Sequence, residues 1–278
     1  MKIFLFFLGL VLNSQMNANY YYKGKRIDEE KLKKLIKKAD VIYVGEEHTS
    51  KGSHEIQLEV LKKTYEIKNS KICVGFEMLN RTLQDILDKY INSEISEEEF
   101  LKQVNWEKEW GFDFNLYKPI FDFIKEKKLK AIALNVPRKI VSKIARGGLS
   151  VLDDNEKKLI AREINIVKDR DYNEYLKKTF YGHGENPMNK IMSFDNYKLS
   201  MAVWNESMGE RVSDFLRGNP NYTFIVIAGN GHIMYNAAIP WSVKKRIKVK
   251  NLSIYTISKE KIKNIKEIKD FADIIWGY

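Results

Sequence analysis

The sequence contains one cysteine, Cys73, and only four histidines among its 278 residues. A single cysteine cannot form an internal disulfide, so the stability of the fold must come from its hydrophobic core. Cys73 lies in an apolar segment, where we expect a small buried side chain. The Gly-x-Ser-x-Gly pattern of a nucleophile elbow is missing, which argues against a serine hydrolase of that type.

Long hydrophobic runs are scarce as well. Residues 3–12 form an apolar run of about ten residues after Lys2, whereas roughly 20 are needed to span a bilayer. The basic residue, short apolar run and polar exit predict a secretory signal peptide, residues 1–18, with cleavage between 16 and 19. An uncleaved anchor is the alternative. No cysteine follows the run, so no lipid-modified cysteine is expected, and we predict export to the periplasm or cell surface.

The charge is unbalanced toward lysine and arginine, 48 residues against 37 aspartates and glutamates, a net charge of +11. A basic surface suits an anionic small molecule or an anionic lipid. The lysines are spread over many segments and form no arginine-rich or aromatic-interleaved tract. We therefore expect no nucleic-acid partner.

Several strand-like apolar runs end in polar residues. Buried parallel strands read as continuous apolar runs, and ligands of open α/β sheets bind beyond the carboxyl ends of such strands. The candidate residues are Glu46, His48, Glu77, Asn135 and His232. The predicted strands are 40–45, 71–76, 129–134, 222–228 and 251–257. The sequence thus predicts an α/β fold with a mainly parallel central sheet flanked by helices.

The remaining segments define one domain with an insertion. We assign 19–278 to a single α/β domain, in which 149–217 has no strand-like run and forms a helical insertion before the fourth main strand. Its last part, about 189–217, reads as one long helix. The lysine-rich tail, 259–278, is assigned no strand.

The candidate residues suit acid–base or metal chemistry. Glu46 and His48 are two residues apart and can converge, and a carboxylate beside an imidazole serves as a general base or a metal ligand. Glu77 occupies the equivalent place on the next strand, and His232 follows a Gly-Asn-Gly turn. For each residue the alternative is a hydrogen-bonded polar group at a strand end. His54 does not fit the spacing of a helical metal site, and we expect it at the surface or on a helix face.

An aromatic segment, 105–112, leads to Tyr117-Lys118-Pro119. Rings this dense near a crevice can form the walls of a site for a flat apolar ligand, although core packing is the ordinary role of such rings. A tyrosine oxygen is also one of the known axial ligands of haem iron.

The ordered set of these motifs resembles the ChaN-like family of haem-binding lipoproteins, in the haem-uptake/Tiki superfamily. The likeness extends from about residue 25 to 257, and the wider group includes metalloproteases and looks similar to erythromycin esterases. The matching segments are 44–48, 75–78, Trp106 with Trp110-Gly111, 117–119, 133–138, 202–208 and 228–233.

The resemblance implies haem binding outside the cytoplasm, with a tyrosine as the iron ligand and homodimers that can enclose the haem. A haem transporter or receptor is a candidate partner. Tyr117 lies within a family motif and is our first candidate for the iron ligand. Tyr197 and His183 are the rival candidates for the iron ligand, and Trp110 and Arg138 are also assigned to haem binding. Haem is therefore the expected cofactor, with a divalent metal as a second possibility.

Two departures from the family pattern bear on the function. The cysteine that anchors many members to lipid is missing, and Asn205 stands where the family usually has an aspartate. If that aspartate serves metal or proton chemistry, its loss argues against hydrolysis. The alternative to haem binding is a hydrolase, possibly metal-dependent, with Glu46, His48, Glu77 and His232 as its catalytic residues. A non-catalytic protein that binds another ligand in the crevice is the third hypothesis.

Overall fold

The computed structural model describes residues 19–68, 71–182 and 192–278. The predicted signal peptide, 1–18, and the candidate ligand His183 lie outside these ranges. The described residues form an eight-stranded sheet in the order β2-β1-β8-β7-β3-β6-β4-β5. The strands are β1 (Asn19–Tyr22), β2 (Lys25–Ile27), β3 (Val41–Glu46), β4 (Ile72–Asn80), β5 (Lys130–Asn135), β6 (Thr223–Gly229), β7 (Asn251–Ile257) and β8 (Ile274–Gly277).

The central strands are parallel and buried on both faces. Strand β3 pairs in parallel with β7 on one side and β6 on the other, and all of its residues are buried. Because side chains alternate across a strand, Val41 and Tyr43 pack in one hydrophobic cluster, whereas Ile42 and Val44 pack in another. Burial on both faces explains why these strands read as continuous apolar runs, and the predicted fold class is confirmed.

Helices cover the two faces of the sheet and connect its parallel strands. Among the described helices, none combines the length and the apolar character needed to cross a bilayer. The helices are α1 (Glu29–Lys38), α2 (Lys51–Lys68), α3 (Gln84–Ile91), α4 (Glu97–Val104), α5 (Trp106–Glu109), α6 (Lys118–Glu126), α7 (Arg138–Gly147), α8 (Asp154–Lys157), α9 (Arg170–Tyr181), α10 (Phe194–Gly218), α11 (Ile239–Arg246) and α12 (Ile265–Ile268).

The segment between β5 and β6 is helical, as the sequence predicts. Its described residues form α7 to α10 together with a short 3-10 turn, and no strand. Helix α10 has 25 residues and begins at Phe194, after Ser193, whose side chain accepts a hydrogen bond from the N–H of Asn196. It packs against α7, α11 and β5, so this long helix joins the insertion to the sheet.

The carboxyl-terminal tail contains a strand that the sequence analysis did not assign. Residues Ile274–Gly277 form β8, which pairs in parallel with β7 and antiparallel with β1. The ring of Trp276 contacts Tyr20 edge-on, with 4.4 Å between ring centroids. Four residues are too few to show a period, so their apolar character alone did not distinguish a strand from any other buried segment.

The close packing of side chains around Gly75 in the central sheet can be tested by substitution. A Cβ atom at this position would lie 2.6 Å from Cε1 of Phe224 and 2.7 Å from Cδ1 of Leu134. We expect Gly75→Ala to lower the free energy of unfolding by about 1–3 kcal/mol, because the added methyl group overfills the core. Urea denaturation measures the change.

Gly218→Ala is the matched control, since apart from the adjacent residues and the backbone of its own helix nothing lies within 4 Å of the position where its Cβ would be built. This variant should be as stable as the wild type or slightly more stable. Equal stability of the two variants would contradict the packing at Gly75.

Candidate functional site

The carboxyl ends of the parallel strands open into a cavity of about 430 Å³, which we call the polar crevice. Four of the five candidate residues at strand ends line it, and Glu46 lies buried behind it. The lining residues are His48, Glu77, Met78, Asn80, Glu109, Trp110, Phe112, Asn135, Val136, Arg138, Trp204 and His232.

Glu46 ends β3 and is only 2% exposed. Its Oε1 accepts hydrogen bonds from the Tyr117 hydroxyl at 2.7 Å and from Nδ1 of His48 at 2.8 Å. Its Oε2 accepts a hydrogen bond from Nε2 of Gln57 at 2.7 Å. The carboxylate therefore holds the His48 ring with Nδ1 inward and Nε2 directed away from the bond to Glu46.

His48 is partly exposed and stacks on Phe112, with 4.9 Å between ring centroids. Burial lowers the pKa of His48, but the hydrogen bond to Glu46 and the negative charges of Glu77 and Glu46 outweigh this effect. The pKa therefore lies above its usual value. A Cβ on Gly229 would lie 2.8 Å from Cε1 of His48, so a glycine is needed for the ring to fit.

The sequence analysis expected Glu77 just beyond the end of its strand, whereas the structure places it within β4. The register of β4 against β5 shifts between Phe76 and Asn80, and such irregularities redirect side chains next to functional sites. The N–H of Gly229 donates a hydrogen bond to Oε2 of Glu77 at 2.6 Å. Burial raises the pKa of Glu77, but His232 and His48 outweigh it and lower the pKa to about 2.

His232 is held from both sides. Its Nε2 lies 3.1 Å from Oε1 of Glu77, and its Nδ1 lies 2.7 Å from Oδ1 of Asn205. Nδ2 of Asn205 donates to the Tyr172 hydroxyl, which in turn donates to the carbonyl oxygen of Gly231. This chain of hydrogen bonds orients the amide of Asn205, so its oxygen faces His232 and accepts a hydrogen bond from Nδ1.

Of the two places expected for His54, the surface is wrong, because the side chain is buried, whereas the helix face is confirmed, because His54 lies on α2. Its Nε2 lies 3.1 Å from the carbonyl oxygen of His48, and its Nδ1 lies 3.0 Å from Oε1 of Gln57. His54 and Gln57, both on α2, therefore support the Glu46–His48 pair. Their three-residue spacing, which places them on one helix face, was the only signal for this role.

Tyr117 is fully buried behind the polar crevice. Its hydroxyl donates to Glu46 and accepts a hydrogen bond from Nε1 of Trp110 at 3.0 Å. Burial and the adjacent Glu46 raise the pKa of Tyr117 far above its usual value. In this arrangement the hydroxyl positions Glu46, and Tyr117 is not among the residues that line the polar crevice.

Tyr197 lies in a different cavity, which we call the apolar cleft. It has a volume of about 250 Å³ and is lined by Arg138, Val141, Ser142, Ala145, Arg146, Met192, Tyr197, Ser200 and Trp204. The ring of Tyr197 packs beside Phe180 and Phe194. Burial raises the pKa of Tyr197 to about 12. The structure thus places two of the predicted haem-binding residues, Tyr197 and Arg138, in one apolar space between α7 and α10.

Trp110, another predicted haem-binding residue, lines the polar crevice and not the apolar cleft. For the possible divalent metal, the ranges 19–68, 71–182 and 192–278 contain no group of three or more histidine, cysteine, aspartate or glutamate side chains placed to hold an ion.

The fold and the site define an α/β protein with a parallel sheet, a polar crevice at its strand ends and a helical insertion. The sequence profile of the family described as "Haem-binding uptake, Tiki superfamily, ChaN" matches residues 32–243, and the chain belongs to this family. The resemblance drawn from the sequence motifs is confirmed.

Solved structures and one curated protein extend the comparison. ChaN of Campylobacter jejuni, described with cofacial haem binding, superposes with a TM-score of 0.72 and 19% identity, over 95% of this chain and 98% of that one. Protein RETICULATA-RELATED 5, chloroplastic, of Arabidopsis thaliana is 20% identical over 264 residues, which are 90% of this chain and 35% of that protein. The chain therefore spans about a third of that curated relative. The erythromycin esterase EreC shares 13% identity at a TM-score of 0.47, which is too distant to carry an argument.

The Glu46–His48 contact predicts a change in the titration of His48. We expect Glu46→Gln to lower the pKa of His48, because the charge and the hydrogen bond that raise it are removed. A raised folded-state pKa stabilises the fold at low pH and loses this effect as the pH rises through it. The variant's loss of stability should therefore be larger at pH 5 than at pH 8.

NMR titration of the imidazole signals and denaturation at the two pH values measure these effects. Glu47→Gln is the control, because Glu47 pairs with Lys261 at 2.7 Å and makes no contact with His48 through its carboxylate. An unchanged pKa of His48 in Glu46→Gln would show that the pair does not persist in solution.

Proposed function

We propose that this protein binds haem in the apolar cleft between α7 and α10, with Tyr197 as the ligand to the iron. The observation that carries the proposal is a phenol in an apolar space that also contains two arginines, Arg138 and Arg146. Family membership supports haem as the ligand. A tyrosine oxygen binds haem iron in known proteins, and guanidinium groups suit the anionic propionates.

The chemistry of the cleft fits this ligand. Because its pKa is raised to about 12, Tyr197 is protonated in the free protein at neutral pH. Iron binds the deprotonated form, so it must displace the phenolic proton. The apolar side chains that line the cleft, Val141, Met192 and Trp204 among them, give the flat macrocycle a surface to pack against.

The size of the cleft supports a homodimer as part of the proposal. Pockets that enclose drug-sized ligands occupy roughly 300–1,000 Å³, whereas the apolar cleft measures about 250 Å³. A single copy would leave much of a haem exposed to solvent. A second copy of the chain would cover that surface, which suits the cofacial haem binding described for ChaN of C. jejuni.

Export belongs to the same proposal. The apolar run at 3–12 has the pattern of a secretory signal peptide, and the family is described as one of haem-binding uptake. We infer that the protein captures haem in the periplasm or at the cell surface and delivers it to a transporter or receptor.

Three single substitutions test the iron ligand. Tyr197→Phe should remove the tyrosinate charge-transfer band of bound haemin and weaken binding about tenfold or more, equivalent to about 1.4 kcal/mol. Tyr117→Phe should keep the band, because that hydroxyl is buried against Glu46. Tyr181→Phe is the control, since Tyr181 is a neighbouring tyrosine that is 55% exposed.

Absorption spectra recorded during haemin titration of the dimeric and monomeric fractions measure both the charge-transfer band and the affinity for haemin. Loss of the band in Tyr117→Phe, with an unchanged spectrum in Tyr197→Phe, would reverse the assignment.

Hydrolysis is the second candidate function, and a specific arrangement favours it. Two carboxylate–imidazole pairs, Glu46–His48 and Glu77–His232, meet at one cavity. In this reaction Nε2 of His48 would accept a proton from water, and His232 would stabilise the developing charge. Asn205 keeps the hydrogen bond to His232 but lacks the negative charge of the aspartate usual in the family, which weakens the case for hydrolysis.

Hydrolysis of 4-nitrophenyl acetate by the purified protein tests this candidate. If His48 is the base, His48→Ala should slow the reaction by roughly 10²–10⁴-fold. Glu47→Gln, which changes the adjacent residue outside the crevice, should hydrolyse the ester at the wild-type rate. A rate no higher than in buffer, or one unaffected by His48→Ala, would exclude this function for the crevice.

A further inference from the structure

A cluster of lysines lies at the end of the sheet opposite the polar crevice. The crevice opens at the carboxyl ends of the parallel strands, so the amino ends of the same strands form the other end of the sheet. Exposed lysines come there from the starts of strands and from the segments just before them. We call this surface the basic face, and its members are Lys37, Lys38, Lys71, Lys128, Lys130, Lys248 and Lys250.

The pairing of the strands brings these lysines to one edge of the sheet. Lys250 precedes β7, Lys71 precedes β4, and Lys130 begins β5. The carbonyl oxygen of Lys250 accepts a hydrogen bond from the N–H of Asp40, just before β3. The carbonyl oxygen of Lys71 accepts one from the N–H of Thr223, which begins β6. Because neighbouring strands lie about 4.8 Å apart, the starts of these five strands span roughly 19 Å.

Few acidic side chains neutralise the basic face. Within the ranges that the structure describes, none of its seven lysines forms an ion pair, and the adjacent Glu126 is paired with Lys127. Asp40 and Glu66 are the other carboxylates beside it, and Asp40 accepts a hydrogen bond from the backbone N–H of Lys250. Unbalanced like charges repel one another and destabilise the folded state. An anionic partner would offset this repulsion.

The ends of helices account for only part of this charge. Lys37 and Lys38 lie in the last turn of α1, where a cation interacts favourably with the carbonyl end of the helix. Lys71, Lys130 and Lys250 lie outside the helices, so this effect does not explain their presence.

The composition of the basic face suits the surface of a lipid bilayer. Clusters of roughly four to eight lysines or arginines are typical of surfaces that bind anionic lipids. All seven cations are lysines, which act as point charges, whereas nucleic-acid recognition favours the planar fork of arginine. The ring of Tyr222 lies in the same row of strand starts, 5.2 Å from Nζ of Lys130, and tyrosine is enriched where membranes meet water.

We propose that the basic face docks this protein on a bilayer surface that carries anionic phospholipids. Docking through this face directs the mouth of the polar crevice away from the bilayer, because the crevice opens at the opposite end of the strands. The docking is independent of haem binding, since the lysines of the basic face line neither the polar crevice nor the apolar cleft.

Co-sedimentation with lipid vesicles tests the proposal. The protein should bind vesicles that contain phosphatidylglycerol at least tenfold more tightly than vesicles of phosphatidylcholine alone. About 0.5 M salt should remove the difference, because it screens the charges. The triple variant Lys71→Gln, Lys130→Gln, Lys250→Gln should bind the anionic vesicles roughly 100-fold more weakly. The neutral vesicles also measure any contribution of the apolar run at 3–12, which the substitutions leave unchanged.

The triple variant Lys102→Gln, Lys158→Gln, Lys168→Gln is the matched control. It loses the same charge from exposed positions in α4, after α8 and before α9, away from the strand starts, and should bind like the wild type. The proposal is wrong if neutral and anionic vesicles bind equally, or if both triple variants weaken binding alike. Tighter binding to a DNA duplex than to the anionic vesicles would also overturn it and assign the basic face to nucleic acid.

Discussion

The buried carboxylate of Glu46 is the group on which the arrangement of the site depends. It stands at the end of the central strand, where an ionised group without partners would cost several kcal/mol. Its donors come from three parts of the chain: Gln57 on α2, Tyr117 before α6, and His48 in the loop after β3. Satisfying one carboxylate thereby ties two covering segments to the sheet and sets the orientation of His48.

Helix α10 contributes residues to both the apolar cleft and the polar crevice. Tyr197 and Trp204 are seven residues apart, two helical turns, and so lie on one face, where both line the apolar cleft. The next residue, Asn205, points to His232 on the crevice side. One helix thus contributes to both the proposed haem site and the acid–base residues, so movement of this helix would act on both.

The candidate residues chosen from the sequence differ in how closely their places in the structure match the predictions. Glu46, His48, Glu77 and His232 were predicted to converge from separate strand ends, and the structure brings them together because parallel strands end at one edge of the sheet. Tyr117 was selected because it lies in a family motif, and the structure shows that its hydroxyl supports Glu46. His54 and Asn205 gave no strong local signal, since their roles depend on hydrogen bonds to distant residues or to backbone atoms.

The sequence by itself determined the α/β class, the central parallel strands, the helical insertion and the family, because these follow from apolar runs and motifs that are local along the chain. Only the tertiary structure decided the order of the strands, the place of β8 and which tyrosine faces a cavity. Tyr117 and Glu46 are 71 residues apart and meet only through packing. Burial and hydrogen-bond partners are properties of such distant contacts, and a local pattern does not contain them.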